Sequence, residues 1–209
     1  MNTYFDNSLL EDVTCDDALI AGVDEVGRGA LFGSVVAAIV VLPRSQVSQL
    51  IALGVVDSKK ISPRKRQELI EPIKKLVTDW RICSASPWEI DRLNILQASL
   101  LAMRRCVANL SVKPDLCLID GKFAVPNIEI IQKTVIKGDL RSPVIAAASI
   151  LAKVWRDEMI IELAQKYPEY DLANNKGYPT AKHRLAIQKY GISPEHRRSF
   201  KSCFNPINN

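Results

Sequence analysis

The distribution of apolar positions predicts a chain of alternating strands and helices. Short apolar runs rich in β-branched residues or with a two-residue period indicate five strands, at residues 18–24, 34–42, 81–86, 116–119 and 129–136. Apolar residues at three- and four-residue spacing indicate longer helices over 62–77, 86–107 and 142–166, with two short helices at 180–190 and 194–201. This order predicts an α/β fold, a mixed sheet flanked by helices with a helical C-terminal extension.

Three Ser-Pro dipeptides predict where the longer helices begin. Ser62-Pro63, Ser86-Pro87 and Ser142-Pro143 each place an N-cap serine before a proline in the first helical position. Residues 144–152, in the third of these helices, are apolar on almost every side. That helix is therefore predicted to lie in the core.

Charge divides the chain unevenly. The chain has 209 residues, which suits one domain. Its composition, 47% hydrophobic and 24% charged residues, excludes the disordered and collagen-like classes of protein. The net charge is +5, yet residues 1–17 contain five acids and no lysine or arginine. We therefore predict an acidic leader at 1–17 and one domain over 18–209, whose helical extension starts at about 180. Seven cations against one acid between Lys176 and Lys201 indicate a polyanionic partner.

Cysteine and histidine usage excludes several classes of site. The five cysteines are odd in number and form no C-x-x-C pair, and the two histidines give no zinc-ligand spacing. The N-terminus lacks the pattern of a secretory signal, and the longest strictly apolar run has eight residues, against the ~20 that span a bilayer. These features predict a cytoplasmic protein without a membrane partner.

A glycine-rich turn follows the first predicted strand. Gly27, Gly29 and Gly33 have a spacing close to that of a dinucleotide-binding turn, which makes a dinucleotide-dependent oxidoreductase one alternative. Such a turn must lead into a helix whose N-terminus holds the pyrophosphate, whereas a strand is predicted here. Asp24 and Glu25 would also repel the phosphates. Both objections disfavour this alternative.

The same acids favour a site for divalent cations. Asp24 and Glu25 end a buried strand, and we expect their side chains to converge only if the strand stops at Asp24. Asp120 ends another apolar strand, and Asp139 lies in a turn before the core helix. Oxygen ligands without His or Cys suit Mg²⁺ or Mn²⁺, and carboxylate clusters in nucleases hold two such ions.

Seven short segments occur in order over about residues 20–201. They are Gly22-Val23-Asp24-Glu25-Val26-Gly27-Arg28-Gly29, Asp57-Ser58-Lys59-Lys60, Ile119-Asp120-Gly121, Lys137-Gly138-Asp139, Ala147 to Lys153, Lys176-Gly177-Tyr178-Pro179-Thr180 and His196-Arg197-Arg198-Ser199-Phe200. Together they resemble the ribonuclease HII family, the type 2 ribonucleases H. The related ribonuclease HIII class is less similar, because it typically lacks the Gly-Arg-Gly element and carries a substantial N-terminal substrate-binding domain.

The resemblance implies a fold, an activity and a set of site residues. It implies a ribonuclease H-like mixed sheet and an endonuclease that cuts RNA paired with DNA, or a ribonucleotide embedded in duplex DNA, leaving 3′-hydroxyl and 5′-phosphate ends. The family's metal ligands, which would hold two Mg²⁺ or Mn²⁺ ions, fall on Asp24, Glu25, Asp120 and Asp139. Recognition of the ribose 2′-hydroxyl falls on the backbone of Gly27, Arg28 and Gly29 and on Tyr178.

Other polar residues are assigned by their surroundings. The nucleic-acid backbone is expected to contact Lys59, Lys60, Lys182, Arg197 and Arg198. His183 is interpreted as a surface or phosphate-facing residue, and Asp157 as the ion-pair partner of Lys153 one helical turn earlier. We expect a monomer without an obligate protein partner. A non-catalytic binder of hybrid duplexes, with purely structural acids, remains the second alternative.

Overall fold

A five-stranded mixed sheet forms the centre of the molecule. The computed structural model describes residues 5–55, 58 and 61–203. The strands are β1 (Leu19–Val26), β2 (Val35–Pro43), β3 (Asp79–Ala85), β4 (Leu116–Asp120) and β5 (Ile131–Val135). Their order in the sheet is β3-β2-β1-β4-β5. Strand β2 is antiparallel to its neighbours β1 and β3, whereas β4 is parallel to its neighbours β1 and β5. The predicted mixed sheet is confirmed.

Helices cover both faces of this sheet. They are α1 (Val47–Ala52), α2 (Pro63–Leu76), α3 (Pro87–Leu93), α4 (Ile95–Ala108), α5 (Gly138–Arg141), α6 (Pro143–Lys166), α7 (Leu172–Asn175) and α8 (Ala181–Tyr190). Alternate residues of β2 point to opposite faces, Val36 and Val40 toward α6 and Val35 and Ile39 toward α4. Because β2 is buried on both faces, its sequence is one continuous apolar run.

The three predicted helix starts are correct. Ser62, Ser86 and Ser142 are the N-caps of α2, α3 and α6, and each serine hydroxyl accepts a hydrogen bond from the N–H three residues later. Residues 144–152 of α6 are all buried, as their apolar composition predicts. Helix α6 therefore packs along β1 and β2 beneath the predicted site.

Two helix predictions need correction. The helix expected over 86–107 is interrupted at Asn94, whose φ of 70° breaks it into α3 and α4. The helix expected over 194–201 does not form. Instead His196 makes an isolated antiparallel bridge with Phe32, and the N–H of Arg197 donates to the Leu31 carbonyl. Backbone partners in a distant loop replace the local hydrogen bonds of a helix.

The described part of the acidic leader lies on the body of the domain. Leu9 is buried in the core cluster that includes α6. The N–H of Asp6 donates to the Arg141 carbonyl at 2.8 Å, and its carboxylate pairs with the Arg141 guanidinium at 2.5 Å. Asp16 pairs with Arg44 at 2.7 Å. Among the helices of the described ranges, none combines the length and apolar character needed to cross a membrane.

Candidate active site

Three carboxylates converge at one edge of the sheet. Asp24 and Glu25 lie near the end of β1, and Asp120 ends β4. Because β1 and β4 are parallel neighbours, their C-terminal ends lie at the same edge. One carboxylate oxygen from each residue lies within 4.8 Å of the others. The structure therefore brings these three predicted metal ligands together.

The condition set for that convergence was wrong. Strand β1 does not stop at Asp24 but continues to Val26, and Glu25 is paired with Ala37 of β2. The Asp24 carboxylate accepts a hydrogen bond from the N–H of Glu25 at 2.7 Å. The Asp24 carboxylate therefore lies along the strand toward Glu25. This brings carboxylate oxygens of the two residues close together, although neighbouring side chains of a strand start on opposite faces.

Burial makes the negative charge of this cluster costly. Asp24 is only 6% exposed, and burial, followed by the charges of Glu25 and Asp120, raises the pKa of its carboxyl well above the usual value. A hydrogen bond with the Ser149 hydroxyl opposes this rise. Burial also raises the pKa of Glu25, against the lowering effect of Arg28, which lies 2.9 Å from it. A bound cation would relieve the repulsion among the acids.

Asp139 is brought near the cluster through its neighbour. Gly138 donates its N–H to the Asp120 carboxylate at 2.6 Å, and Asp139 follows in the first turn of α5. Asp139 is buried, at 5% exposure, but it is not one of the three residues within 4.8 Å. Its role as a fourth ligand stays a prediction.

A buried arginine holds the glycine turn in place. The guanidinium of Arg156, on α6, donates to the carbonyl oxygens of Phe32 at 3.0 Å, Ser34 at 3.2 Å and Lys176 at 2.9 Å. A Cβ at Gly27 would lie 2.1 Å from the Arg156 Nε, and the φ of Gly27 is +90°. Gly27 is therefore required by the arginine beneath it, a role that the sequence did not reveal.

Arg197 is a second buried arginine, and its predicted contact with nucleic acid is wrong. It has no exposed surface, and its guanidinium donates to the carbonyl oxygens of Gly33 at 2.9 Å and Arg28 at 3.0 Å. A group enclosed in this way cannot reach a phosphate backbone. Its geometry instead supports the turn from the C-terminal side.

Tyr178 faces the acidic cluster across a shared cavity. The cavity, of about 340 Å³, is lined by Asp24, Glu25, Val26, Ser58, Arg66, Asp120, Ser149, Lys153 and Tyr178. The Tyr178 ring is half-buried, with Lys153 Nζ 5.8 Å and the Arg156 guanidinium carbon 5.5 Å from its centre. The structure thus brings Tyr178 to the same site as Asp24, Glu25 and Asp120.

The interpretation of His183 as a surface residue is wrong. His183 is fully buried and lies 3.1 Å from His196, measured between their Nε2 atoms. Its Nδ1 lies 3.0 Å from the Tyr178 carbonyl oxygen, which can only accept, so Nδ1 carries the proton. His196 Nδ1 accepts from the N–H of Ser193 at 3.0 Å. The pair therefore links the Tyr178 loop to the C-terminal segment as two neutral imidazoles.

The remaining predicted residues fall into three groups. Lys182 on α8 and Arg198 are exposed, as a contact with nucleic acid requires. Lys59 and Lys60 lie outside the described residues. Asp157 pairs with Lys153 at 2.7 Å, which confirms the ion-pair interpretation.

Sequence reasoning missed several residues that line the cavity. Ser149 and Ser58 lie 3.0 Å apart between their hydroxyl oxygens, and Arg66 donates to the Ser58 carbonyl at 2.5 Å. An isolated serine in an apolar helix, such as Ser149, is the one signal that was available. The other contacts depend on packing that the sequence pattern does not report.

A mixed five-stranded sheet with three clustered carboxylates at one edge, one buried and two partly buried, is typical of one class of protein, the metal-dependent phosphodiester hydrolases. The family model described as Ribonuclease HII matches residues 21–203. The ribonuclease HII of Acaryochloris marina is 58% identical over 190 residues, covering 90% of this chain and 96% of that protein. That of Trichormus variabilis is 58% identical over 185 residues, covering 88% and 82%.

Solved structures agree with the sequence comparisons. The crystal structure of ribonuclease H2 from Pyrococcus horikoshii OT3 superposes with a TM-score of 0.77 at 27% identity, covering 88% of this chain and 95% of that one. A ribonuclease HIII, Bst-RNase HIII in complex with Mn²⁺, shares the fold with a TM-score of 0.71 at 19% identity, covering 91% and 69%. The chain belongs to the ribonuclease HII family. It is a ribonuclease H, an endonuclease that acts on RNA–DNA hybrids in a family that depends on divalent metal ions.

Proposed function

We propose that this enzyme cuts the RNA strand of hybrids and also nicks duplex DNA at a single embedded ribonucleotide, leaving 3′-hydroxyl and 5′-phosphate ends. The observation that carries the proposal is the convergence of Asp24, Glu25 and Asp120 within 4.8 Å, facing Tyr178 across one cavity. The glycine turn is accessible at Gly29, which is exposed and where an added Cβ would have no atom within 4 Å. A substrate backbone can therefore approach the turn closely.

The donor set of the cluster fits Mg²⁺ or Mn²⁺. Its three members offer only carboxylate oxygens, which hard divalent ions prefer, and their mutual repulsion falls when a cation binds. Asp24, Glu25 and Asp120 would hold the ions, with Asp139 as a further ligand. When bound, two such ions supply an activated water and stabilise the charge that develops on the departing 3′-oxygen. The residues themselves position the ions, and no histidine base is needed.

Recognition of the ribose is assigned to the turn and to Tyr178. The carbonyls of the turn are occupied by Arg156 and Arg197, which fixes its backbone before substrate arrives. In our proposal, the backbone of residues 27–29 and the Tyr178 hydroxyl hydrogen-bond the 2′-hydroxyl, the group that distinguishes RNA from DNA. Exposed Lys182 and Arg198 contact phosphates without reading sequence, as do Lys59 and Lys60.

We further propose a cytoplasmic monomer. All five cysteines are free thiols, as expected in a reducing compartment. A related ribonuclease HII from Archaeoglobus fulgidus, 28% identical with a TM-score of 0.69, was solved in a complex with PCNA. Our proposal for this chain requires no partner for activity. Light scattering of the purified enzyme tests the monomer.

A duplex containing one ribonucleotide tests the proposed activity. We expect wild type to nick it with Mg²⁺ or Mn²⁺, and mapped ends to be 3′-hydroxyl and 5′-phosphate. Asp24→Asn should reduce kcat by about three orders of magnitude, the scale seen when a catalytic group is removed. Asp12→Asn, at a carboxylate 92% exposed, is the matched control and should behave as wild type. Binding without cleavage by wild type would instead support the non-catalytic alternative.

A second comparison tests the recognition role. Tyr178→Phe should lower cleavage at the embedded ribonucleotide about tenfold, the value of one lost hydrogen bond, and change duplex affinity far less. Tyr190→Phe, at an exposed tyrosine ending α8, serves as the control. Equal losses of cleavage and of duplex affinity in Tyr178→Phe would show that the Tyr178 hydroxyl does not recognise the ribose 2′-hydroxyl.

A further inference from the structure

Helix α3 begins at the same edge of the sheet as the acidic cluster. Strand β1 ends at this edge, β2 starts there at Val35, and β3 ends there at Ala85, which is paired with Val35. Helix α3 follows immediately at Pro87. Since neighbouring strands lie about 4.8 Å apart, α3 begins roughly 10 Å from β1, across the glycine turn from the cluster.

This helix carries an exposed tryptophan. Trp88, in the first turn of α3, is 64% exposed, although a tryptophan is usually largely buried. The guanidinium carbon of Arg92, one turn later, lies 4.7 Å from the centre of the Trp88 ring. The contact orients the guanidinium on the indole and leaves both groups open to solvent.

The acidic residues next to Trp88 and Arg92 already have hydrogen-bond or salt-bridge partners. Glu89 pairs with Arg105 at 2.5 Å, and Asp91 accepts from the backbone N–H groups of Arg198 and Ser199 at 3.1 and 2.9 Å. In the described ranges, the guanidinium groups of Arg92 and Arg198 form no salt bridge. We call Trp88, Arg92 and Arg198 the α3 patch.

The α3 patch is continuous with the glycine turn. Arg197 donates to the carbonyl of Arg28, and the next residue, Arg198, is held on α3 by Asp91. One short segment therefore connects the glycine turn with the helix that carries the exposed tryptophan. Positive charge and an aromatic face follow one another along this edge of the sheet.

We propose that the α3 patch binds the sugar–phosphate backbone of the duplex beside the scissile bond. The proposal rests on the proposed function, because it needs the acidic cluster to define where the duplex lies. The guanidinium groups of Arg92 and Arg198 donate to phosphate oxygens, and the Trp88 indole packs against a sugar. Such contacts give affinity and salt dependence without base specificity.

Direct binding measurements test the α3 patch. Fluorescence anisotropy of a labelled hybrid duplex is recorded with the full chain carrying Asp24→Asn, which does not cut it, in Mg²⁺ at several salt concentrations. We expect added Trp88→Ala or Arg92→Ala to raise Kd about fivefold, in the range of an exposed cation–π pair or phosphate contact. Arg92→Ala should also reduce the slope of log Kd against log salt by about 0.9. Trp88→Phe should keep most of the affinity.

Two controls and a second readout separate the possible failures. Ile131→Ala and Lys113→Ala remove an exposed apolar and an exposed charged side chain near the opposite edge and should leave Kd unchanged. In the active background, kcat/KM on the hybrid should fall in both patch variants by about the factor by which Kd rises. Wild-type Kd and salt slope in Trp88→Ala and Arg92→Ala would overturn the patch and leave the proposed function standing. Failure of the unmodified enzyme to cut any ribonucleotide-containing duplex would overturn both.

Discussion

At the scale of single residues, the site depends on two buried arginines that do not line its cavity. Arg156 donates to three carbonyl oxygens from two loops, and Arg197 donates to two carbonyl oxygens of the glycine turn. Burial lowers the pKa of both groups, that of Arg197 to about 9, but each remains charged at neutral pH. The cost of burying these two charges is reduced by the hydrogen bonds that their guanidinium groups donate to backbone carbonyl oxygens.

Replacing Arg156 with lysine keeps the positive charge but removes the planar guanidinium and its several N–H donors. A single ammonium on a flexible stem cannot reach carbonyls in three directions, so the variant leaves buried acceptors unsatisfied. We expect Arg156→Lys to lower the free energy of unfolding by about 3 kcal/mol, the scale of a broken buried network. Chemical denaturation measures this change.

The same variant should also lower activity on an embedded ribonucleotide. We expect kcat/KM to fall at least about tenfold, because the glycine turn loses its support. Lys166→Ala, at an exposed residue ending α6, should change neither stability nor activity. Wild-type stability and kcat/KM in Arg156→Lys would show that the turn holds its shape without the arginine.

The residue scale also shows what the sequence could predict. Asp24, Glu25 and Asp120 were found because an acid at the end of an apolar run is unusual whatever the fold. Arg197 and His183 were misassigned because cations in a basic segment are usually exposed, and only tertiary packing tells which one is enclosed. The same limit explains why Arg156 was missed, since nothing in its neighbours distinguishes it.

At the scale of elements, local capping decides where helices start and stop. Three of the four Ser-Pro pairs begin a helix, because both residues act within one turn of it. The fourth pair, Ser193-Pro194, is followed by a turn and not by a helix. The end of α3 was missed because Asn94 combines two opposing functions. It has a φ of 70° and a ψ of 164°, a backbone region that strongly favours glycine, and its side chain caps α4 by accepting from Leu96 and Gln97.

Two substitutions at Asn94 separate the effect of its helix cap on stability from the effect of its strained backbone. Asn94→Ala loses the cap and keeps a strained backbone, so we expect the free energy of unfolding to fall by about 2 kcal/mol. Asn94→Gly loses the same cap but relieves the strain, and it should match or exceed wild-type stability. Urea denaturation compares the two variants. Equal destabilisation by alanine and glycine would mean that the cap alone matters.

The segment 194–201 shows what element-level reasoning cannot supply. Its composition suits a short helix, yet its backbone pairs with the loop before β2 through Phe32, Leu31 and Gly33. Those partners lie more than 160 positions away in sequence, so no local pattern reports them. The five strands themselves, in contrast, are predicted by short apolar runs, because that pattern is local.

At the scale of the whole molecule, the net charge of +5 combines unlike parts. In the leader, Asp6, Asp12 and Asp16 pair with Arg141, Lys133 and Arg44 of the body. Bound divalent cations would neutralise the negative charge of Asp24, Glu25 and Asp120. The exposed positive charge that remains includes Lys182, Arg198 and Arg92, and their placement determines how the enzyme meets a duplex better than the sum does.

The His183–His196 pair connects the C-terminal segment to the rest of the molecule and should make stability depend on pH. Burial lowers the pKa of both imidazoles, that of His196 to about 4, against about 6.5 in the unfolded chain. As pH falls from 6.5 toward 4, the unfolded chain binds protons that the folded chain cannot, so the free energy of unfolding decreases. At higher pH this contribution is fully present.

Replacing one histidine isolates this effect from the carboxylates. The raised pKa values of Asp24 and Glu25 act in the opposite direction, and the pKa of Glu89, lowered to about 2 by Arg105, acts in the same direction. His196→Gln keeps an amide donor for His183 and cannot bind the proton. We expect it to be less stable than wild type at pH 7, because the ring contacts with Tyr170 and Phe32 at 4.6 and 5.0 Å are lost. Between pH 6.5 and 4 its stability should fall less steeply. Urea denaturation across this range measures both slopes, and parallel curves would show that His196 is protonated as readily in the folded chain as in the unfolded one.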